Sequence, residues 1–175
     1  MIQIEVKCEA AQAVLKAAAA RCRNLAPAMK VIATRLKADI ARNFDQGGWW
    51  PKKWQPSKRA RDKGGQTLVD HGLLRRSIQT ASGADWARAG SDVKYAAVHQ
   101  FGHTFPPRVV RARNARALKI PVPGGTFVFR KSARLPRIVV PARPFLPVTA
   151  EGRLAPGTEA FVLRALGKYV AEGKA

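Results

Sequence analysis

Residues 27–44 of the chain read PAMKVIATRLKADIARNF, and their apolar side chains recur at steps of three and four. The apolar positions that follow this spacing are Met29, Ile32, Leu36, Ile40 and Phe44. Such spacing places them along one face of an α-helix. Pro27 suits the first turn of that helix, where a backbone N–H has no helical partner. The stretch therefore predicts an amphipathic helix, continuing to Phe44, whose apolar face covers a core.

The residues before this helix predict one strand and one further helix. Residues 2–6 alternate apolar with polar side chains, which is the period-two pattern of a half-buried strand. Residues 9–23 favour a helix, because acidic Glu9 would lie at its positive end and basic Arg21 and Arg23 at its negative end.

A loop is predicted directly after the central helix. Residues 45–67 contain turn glycines and prolines that interrupt both the helical and the strand period. Their second half, residues 58–66, is polar and basic and ends in two glycines, so we expect a mobile loop there. Asp70 is then expected to cap a short helix that runs through Leu73 and Leu74.

A hairpin and a short helix are predicted next. Residues 77–81 and 84–89 suggest two strands around a Ser82-Gly83 turn. Residues 95–101 indicate a short helix that Gly102 ends, because glycine readily adopts the left-handed conformation found beyond helix ends.

The rest of the chain predicts β-structure, a stiff segment and a last helix. Residues 105–140 contain β-type apolar runs separated by arginine-rich stretches, and we expect an extended β-excursion with one or two hairpins. Residues 141–147 are stiffened by three prolines, and residues 156–171 favour a final helix.

These elements predict an α+β fold. We expect a small mixed domain in which two or three helices pack on an antiparallel sheet, with an extended basic β-hairpin excursion. All 175 residues would form one domain. Its core would comprise residues 1–104 and 141–175, with a loop at 45–67 and the excursion at 105–140.

Composition indicates that the chain folds without disulfide bonds or bound metal ions. Its hydrophobic fraction is 46%, and a chain of this length buries about 70% of its unfolded surface. Cys8 and Cys22 do not form a disulfide framework or a metal-binding spacing. No segment has the length and apolarity expected of a membrane span.

Charge is the strongest compositional signal. Thirty-two Lys and Arg residues against eleven Asp and Glu residues give a formal net charge of +21. Between Val93 and Ala150 the sequence contains basic residues and no acidic one. This distribution favours a surface that faces either nucleic acid or an acidic protein, and the sequence leaves both partners open. An ordinary solvated basic surface is the alternative.

Catalytic and metal-binding motifs were sought and are not indicated. His99 and His103 are four residues apart, with His71 as a third candidate ligand, but Gly102 is expected to end the helix between them. The acidic residues are spread singly, and the Gly-Gly pairs lack the flanking pattern of a phosphate-binding loop. We therefore predict a protein that is not an enzyme and needs no cofactor.

Residues 49–63 combine tryptophans with basic side chains. Such a segment can stack the bases of a single strand, but tryptophan also carries a large apolar area that anchors a loop on a core or on a neighbouring subunit. We favour anchoring by Trp49, Trp50 and Trp54. The basic residues would then form a charged rim: Lys52, Lys53, Lys58, Arg59, Arg61 and Lys63.

Four sequence blocks, in this order, resemble the phage virion morphogenesis family, the tail-completion proteins of Mu-like and P2-like phages. They are Asn43-Phe44 with Gly48-Trp49 and Trp54-Gln55-Pro56; residues 68–78, LVDHGLLRRSI; residues 95–102, YAAVHQFG; and residues 141–146, PARPFL. His71 departs from the small hydroxyl residue expected in the second block. Residues 105–140 are longer than the minimal family pattern.

The resemblance implies a structural protein of the virion, assembled in the cytoplasm of the host bacterium. Its expected role is to complete the tail or form the head–tail (neck) junction, as one subunit of a ring, hexameric by expectation, around the DNA channel. The expected partners are other neck, connector or tail-tube proteins, with DNA passing through the lumen and no membrane contact. A stand-alone nucleic-acid-binding protein is the alternative.

Two sets of residues follow as candidate contacts. The expected subunit or partner interface comprises Trp49, Trp50, Trp54, Tyr95, His99, Phe101, Arg143, Pro144 and Phe145. The expected contacts to DNA or to an acidic partner are Lys52, Lys53, Lys58, Arg59, Arg108, Arg111, Arg113, Arg116, Arg130, Lys131, Arg134 and Arg137.

Overall fold

The computed structural model describes residues 8–113, 115–122, 125–149 and 151–174. The helices within them are α1 (Glu9–Cys22), α2 (Ala26–Asp45), α3 (Lys58–Lys63), α4 (Leu73–Arg76), α5 (Ala96–Phe101) and α6 (Pro156–Glu172). The strands are β1 (Ile78–Ser82), β2 (Ala87–Ser91), β3 (His103–Phe105), β4 (Arg108–Arg111), β5 (Leu118–Pro121), β6 (Phe127–Arg130), β7 (Ser132–Leu135) and β8 (Ile138–Val140). This mixture confirms the predicted α+β class. The strand predicted at residues 2–6 lies outside the described residues.

Helix α2 is the centre of the fold, as its apolar period predicts. Met29, Ile32, Ile40 and Phe44 are buried along one side, and Leu36 is half-buried. On that side α2 packs against the β1–β2 hairpin, and it also contacts α6, which in turn contacts α1. In the described residues, the antiparallel sheet that packs on α2 consists of the two strands β1 and β2.

The core collects side chains from several elements around Phe44. Its buried members are Ile40, Phe44, Trp54, Leu74, Ile78, Ala96 and Phe145. The ring of Phe44 meets Trp54 edge-on at a centroid distance of 5.7 Å and lies 5.6 Å from the ring of Phe145. Aromatic pairs at these distances favour such geometry. Residues 54 and 145 are thereby joined to the end of α2.

The predicted mobile loop at residues 58–66 is wrong over its first six residues, which form α3. Ser57 caps this helix, since its hydroxyl accepts a hydrogen bond from the Ala60 N–H at 3.2 Å. The Arg59 guanidinium then donates to the carbonyl oxygens of Gln66 and Val69. These bonds fold the segment back onto itself.

Two further boundaries differ from the sequence prediction. Helix α4 follows Gly72, whose φ is 72°, and Asp70 does not cap it; the Asp70 carboxylate instead lies 3.6 Å from Arg59 Nε. Strand β2 begins at Ala87 rather than at residue 84, because the Gly83 N–H donates to the Trp86 carbonyl and closes a longer turn.

Residues 103–113, 115–122 and 125–140 contain three nested antiparallel strand pairs, and we call these residues the arm. His103–Phe105 pairs with β8, Arg108–Arg111 with β7, and Leu118–Pro121 with β6. The β3–β8 and β4–β7 pairs share one register, and the Ala112 N–H continues it by donating to the Lys131 carbonyl. The register shifts before β5–β6. β-Structure thus begins at His103, two residues earlier than predicted, because the chain turns sharply at Gly102.

Candidate interaction surfaces

Buried side-chain amides hold the backbone of residues 141–147, the segment that follows the arm. Asn43 of α2, which is 0% exposed, donates from Nδ2 to the Phe145 carbonyl at 3.1 Å. Gln100 of α5 accepts, at its Oε1, hydrogen bonds from the N–H groups of Phe145 and Leu146, each at 3.0 Å. A buried backbone group without a partner is costly, so these two amides determine where the segment sits.

Two more side chains complete this arrangement, which we call the clamp: Asn43, Trp54, Gln100 and Arg143. Trp54 Nε1 donates to the Pro144 carbonyl at 2.8 Å, and Arg143 Nε donates to the Gln55 carbonyl at 2.8 Å. The Arg143 N–H donates to the His99 carbonyl at 2.7 Å. The clamp therefore fixes the segment on both its backbone and its side chains.

The clamp also fixes the base of the arm. Strand β3 leaves α5 through Gly102, which has a φ of 73°, and a Cβ at that position would lie 2.8 Å from the Ala142 nitrogen. Strand β8 enters the clamped segment directly after Val140. Both strands of the arm thus leave the folded body at a place held by buried hydrogen bonds.

The structure corrects part of the predicted interface. Trp54, Arg143 and Phe145 are 6%, 6% and 1% exposed, so they form the interior of this subunit rather than a surface for another. Pro144 is half-buried beside them. Of the two alternatives for the tryptophan loop, anchoring on the core is therefore confirmed for Trp54.

The remaining tryptophans stay accessible. Trp49 and Trp50 are half-buried. The Trp49 N–H donates to Asn43 Oδ1 at 2.9 Å, and the Arg42 guanidinium lies 4.9 Å from the centre of the Trp49 ring. These contacts hold Trp49 in place at the edge of the core while part of its ring remains open to a partner.

Helix α5 presents the other predicted interface residues. Tyr95 and Phe101 are exposed, whereas His99 is half-buried and its ring lies edge-on to Tyr95 at 5.7 Å. Burial, with a smaller effect of the nearby Arg143 cation, lowers the pKa of His99. Its Nδ1 atom is buried without a hydrogen-bond partner among the described residues.

His99 also lines a shallow cavity of about 300 Å³. The cavity has apolar walls from Leu68, Leu73 and Leu74 and a polar side formed by Ser57 and Arg59, among other residues. Burial lowers the pKa of Arg143, whose guanidinium also lines the cavity.

The predicted charged rim divides into free and bound side chains. Lys52, Lys53 and Lys58 are exposed. Lys53 Nζ donates to the Gln46 carbonyl at 2.6 Å, and Arg59 is half-buried and bound to two carbonyl oxygens. Arg59 therefore also has a structural role inside the loop.

The arm carries the other predicted cations, and all of them are exposed. They are Arg108, Arg111, Arg113, Arg116, Arg130, Lys131, Arg134 and Arg137, with Lys119 in addition. The sequence contains no Asp or Glu between His103 and Val140. The arm thus carries cationic side chains and no acidic ones.

Apolar side chains from the predicted β-type runs are exposed among these cations. Those on the arm are Val109, Phe127, Val128, Phe129, Ile138 and Val139. On one face near the arm's tip, Lys119 pairs with Phe129, and Lys119 Nζ lies 4.0 Å from the centre of the Phe127 ring. A cation held over an aromatic face in this way is stabilised electrostatically.

Sequence reasoning also overlooked Asn43 and Gln100 as clamp residues. Both stand inside the blocks that carry the family resemblance, beside Phe44 and Phe101. The available signal was an amide side chain next to a core aromatic residue, because a buried amide needs hydrogen-bond partners.

In the part of the chain that the structure describes, no group of three or more His, Cys, Asp or Glu side chains is placed to hold a metal ion. Within the same ranges, every helix is too short or too polar to cross a membrane.

Comparison with known proteins identifies the family. The chain is 28% identical over 170 residues to the "Mu-like prophage FluMu G protein 2" of Haemophilus influenzae, a match that covers 97% of this chain and 96% of that protein. No solved structure matches the chain. The model of the phage virion morphogenesis family matches residues 6–156. The resemblance carried by the four sequence blocks is therefore confirmed, and the chain belongs to the phage virion morphogenesis family.

Proposed function

We propose that this chain is a structural subunit, without catalytic activity, that completes the phage tail or forms the junction between tail and head. It would be a component of the virion, assembled in the host cytoplasm. The observation that supports the proposal best is the exposed arm, cationic and apolar at once, whose base is fixed by a buried clamp. A surface held rigidly and left uncovered suits docking between large components.

The proposed mechanism is geometric. Subunits would close into a ring, hexameric by expectation, around the channel through which DNA passes, and the ring would present a surface to the neighbouring neck, connector or tail-tube proteins. Trp49, Trp50, Tyr95 and Phe101 remain available for contacts between subunits, because their side chains are exposed or half-buried.

Deletion of the gene from the phage that encodes the chain tests this role. We expect electron microscopy to show heads and tails that accumulate separately, and a plasmid copy of the gene to restore joined particles. Normal numbers of joined, infectious particles without the gene would contradict the proposal. Native mass measurement of the purified protein tests ring formation independently.

The exposed arginines also favour a second candidate, a stand-alone nucleic-acid-binding protein. Contacts between these side chains and phosphates would release counterions, so that affinity would fall steeply with salt. Titration of the purified chain with duplex and single-stranded DNA at moderate salt tests this alternative, and an absence of binding removes it.

A further inference from the structure

We propose that the arm docks on an acidic protein, not on DNA, a membrane or a second copy of this chain. The inference rests on the proposed assembly role and names the chemistry of the partner. The docking surface is the arm's exposed face near the tip, where Phe127 and Phe129 are 49% and 68% exposed beside Lys119.

The apolar side chains argue against DNA as the main partner. Cationic side chains bind phosphates, but an aliphatic side chain gains no binding energy from a phosphate. On the arm, Val109 is 58% exposed and Val139 is 60% exposed. Their burial requires an apolar counterpart, which a protein surface provides.

The amount of charge supports the same conclusion. One subunit's net charge of +21 equals the phosphate charge on about 36 Å of duplex, at one charge per about 1.7 Å. Several subunits around the same length of DNA would exceed its charge several-fold. Most of the cations would therefore face something other than DNA, and protein carboxylates are anions that can pair with them.

The backbone of the arm argues against a membrane. Among the described residues, β3–β8, β4–β7 and β5–β6 are each two-stranded, so neither strand of the arm is paired along its outer edge. Open edges leave N–H and C=O groups that hydrocarbon cannot satisfy. A protein can satisfy them by adding a strand, which makes such an edge a docking site.

Pairing of the arm with the arm of a second copy is disfavoured by charge. The arm contains no acidic residue, so the cations of two paired arms would repel one another. An acidic protein with an exposed strand or an apolar groove matches all three features: the cations, the apolar side chains and the open edges.

Binding by the purified full-length chain tests the proposal first. The probes are a short synthetic peptide that alternates Glu with Val, the same peptide with Lys for Glu, a short DNA duplex, and phosphatidylglycerol vesicles. We expect the Glu–Val peptide to bind most tightly. The Phe127→Ala/Phe129→Ala variant should weaken this binding about tenfold or more, since buried aromatic anchors dominate interfaces.

The matched control is Val14→Ala/Leu15→Ala, which removes exposed apolar side chains from α1 instead. It should bind like the original chain, and thermal unfolding should show that both variants fold. Tighter binding of the duplex or the vesicles, no binding of the Glu–Val peptide, or equal effects of the two variants would overturn the proposal.

A crosslinking experiment reads out the contact in the assembled particle. With a photo-crosslinking residue in place of Phe129, we expect an adduct with another virion protein at an acidic segment, identified by mass spectrometry. An adduct with DNA or with a second copy, or no adduct, would count against the proposal. Normal assembly after gene deletion would instead contradict the assembly role. The binding of the Glu–Val peptide would still test the docking proposal.

Discussion

The Asn43 side chain donates a hydrogen bond to the Phe145 carbonyl across 102 positions of the sequence, with an Nδ2–O distance of 3.1 Å. Its Oδ1 accepts from the Trp49 N–H at 2.9 Å. One buried amide thereby joins α2, the tryptophan loop and the segment that follows the arm. Its removal should loosen all three.

Asn43→Ala should lower the free energy of unfolding by about 1–3 kcal/mol, because the buried Phe145 carbonyl and the partly buried Trp49 N–H lose their partner. Chemical denaturation of the purified variant measures this change. Lys37→Ala, at an exposed position of the same helix, should change the stability by less than about 0.5 kcal/mol. Equal stabilities of the two variants would show that the hydrogen bonds of Asn43 do not stabilise the clamp.

Thr158→Val should also destabilise the fold, by about 1–3 kcal/mol. Thr158 is buried at the start of α6, and its hydroxyl donates to Asp39 Oδ2 at 2.7 Å; Asp39 is also held by Arg35 Nε at 3.0 Å. The valine keeps the shape and leaves the buried carboxylate short of a donor. Thr34→Val is the control, because the Thr34 hydroxyl is exposed and bonds only within α2. Similar effects of the two substitutions would contradict a link between α2 and α6 through Asp39.

His99 should make stability depend on pH. Its pKa is lowered in the folded protein, so below about pH 6.5 the unfolded chain binds a proton that the folded one resists. With respect to His99, the folded protein is therefore most stable above that pH. Its stability decreases as the pH falls towards the lowered pKa of His99.

Thermal unfolding between neutral pH and pH 5 measures the His99 effect. His99→Gln should flatten the slope of stability against pH, because the side chain whose pKa is lowered is then absent. An unaltered slope in the His99 variant would contradict this prediction.

Local patterns were enough to predict much of the fold. The period of α2 and the glycine that ends α5 are set by neighbours in sequence, and both were found where expected. The predicted hairpin is also present, with a longer turn than the Ser82-Gly83 pair indicated. Helix α3 was missed because its signal is a single capping residue, Ser57, within a stretch rich in turn residues.

The candidate site depends more on contacts distant in sequence. Trp54 and Phe145 are aromatic residues of the kind that often anchor interfaces. Only their packing on Phe44 shows that they are core residues. Likewise, Asn43 and Gln100 bond to a segment far along the chain, which no local period encodes. The sequence showed the cations of the arm and the apolar runs between them, but which apolar side chains stay exposed depends on how the strands pair.

The central claim is that the exposed arm makes the contacts by which this chain joins phage components. Its most direct test is the fraction of joined head–tail particles, counted by electron microscopy, when a gene deletion is complemented with Phe127→Ser/Phe129→Ser. The variant should fold with the stability of the original chain and leave heads and tails mostly separate. A normal fraction of joined particles from this variant would contradict the claim.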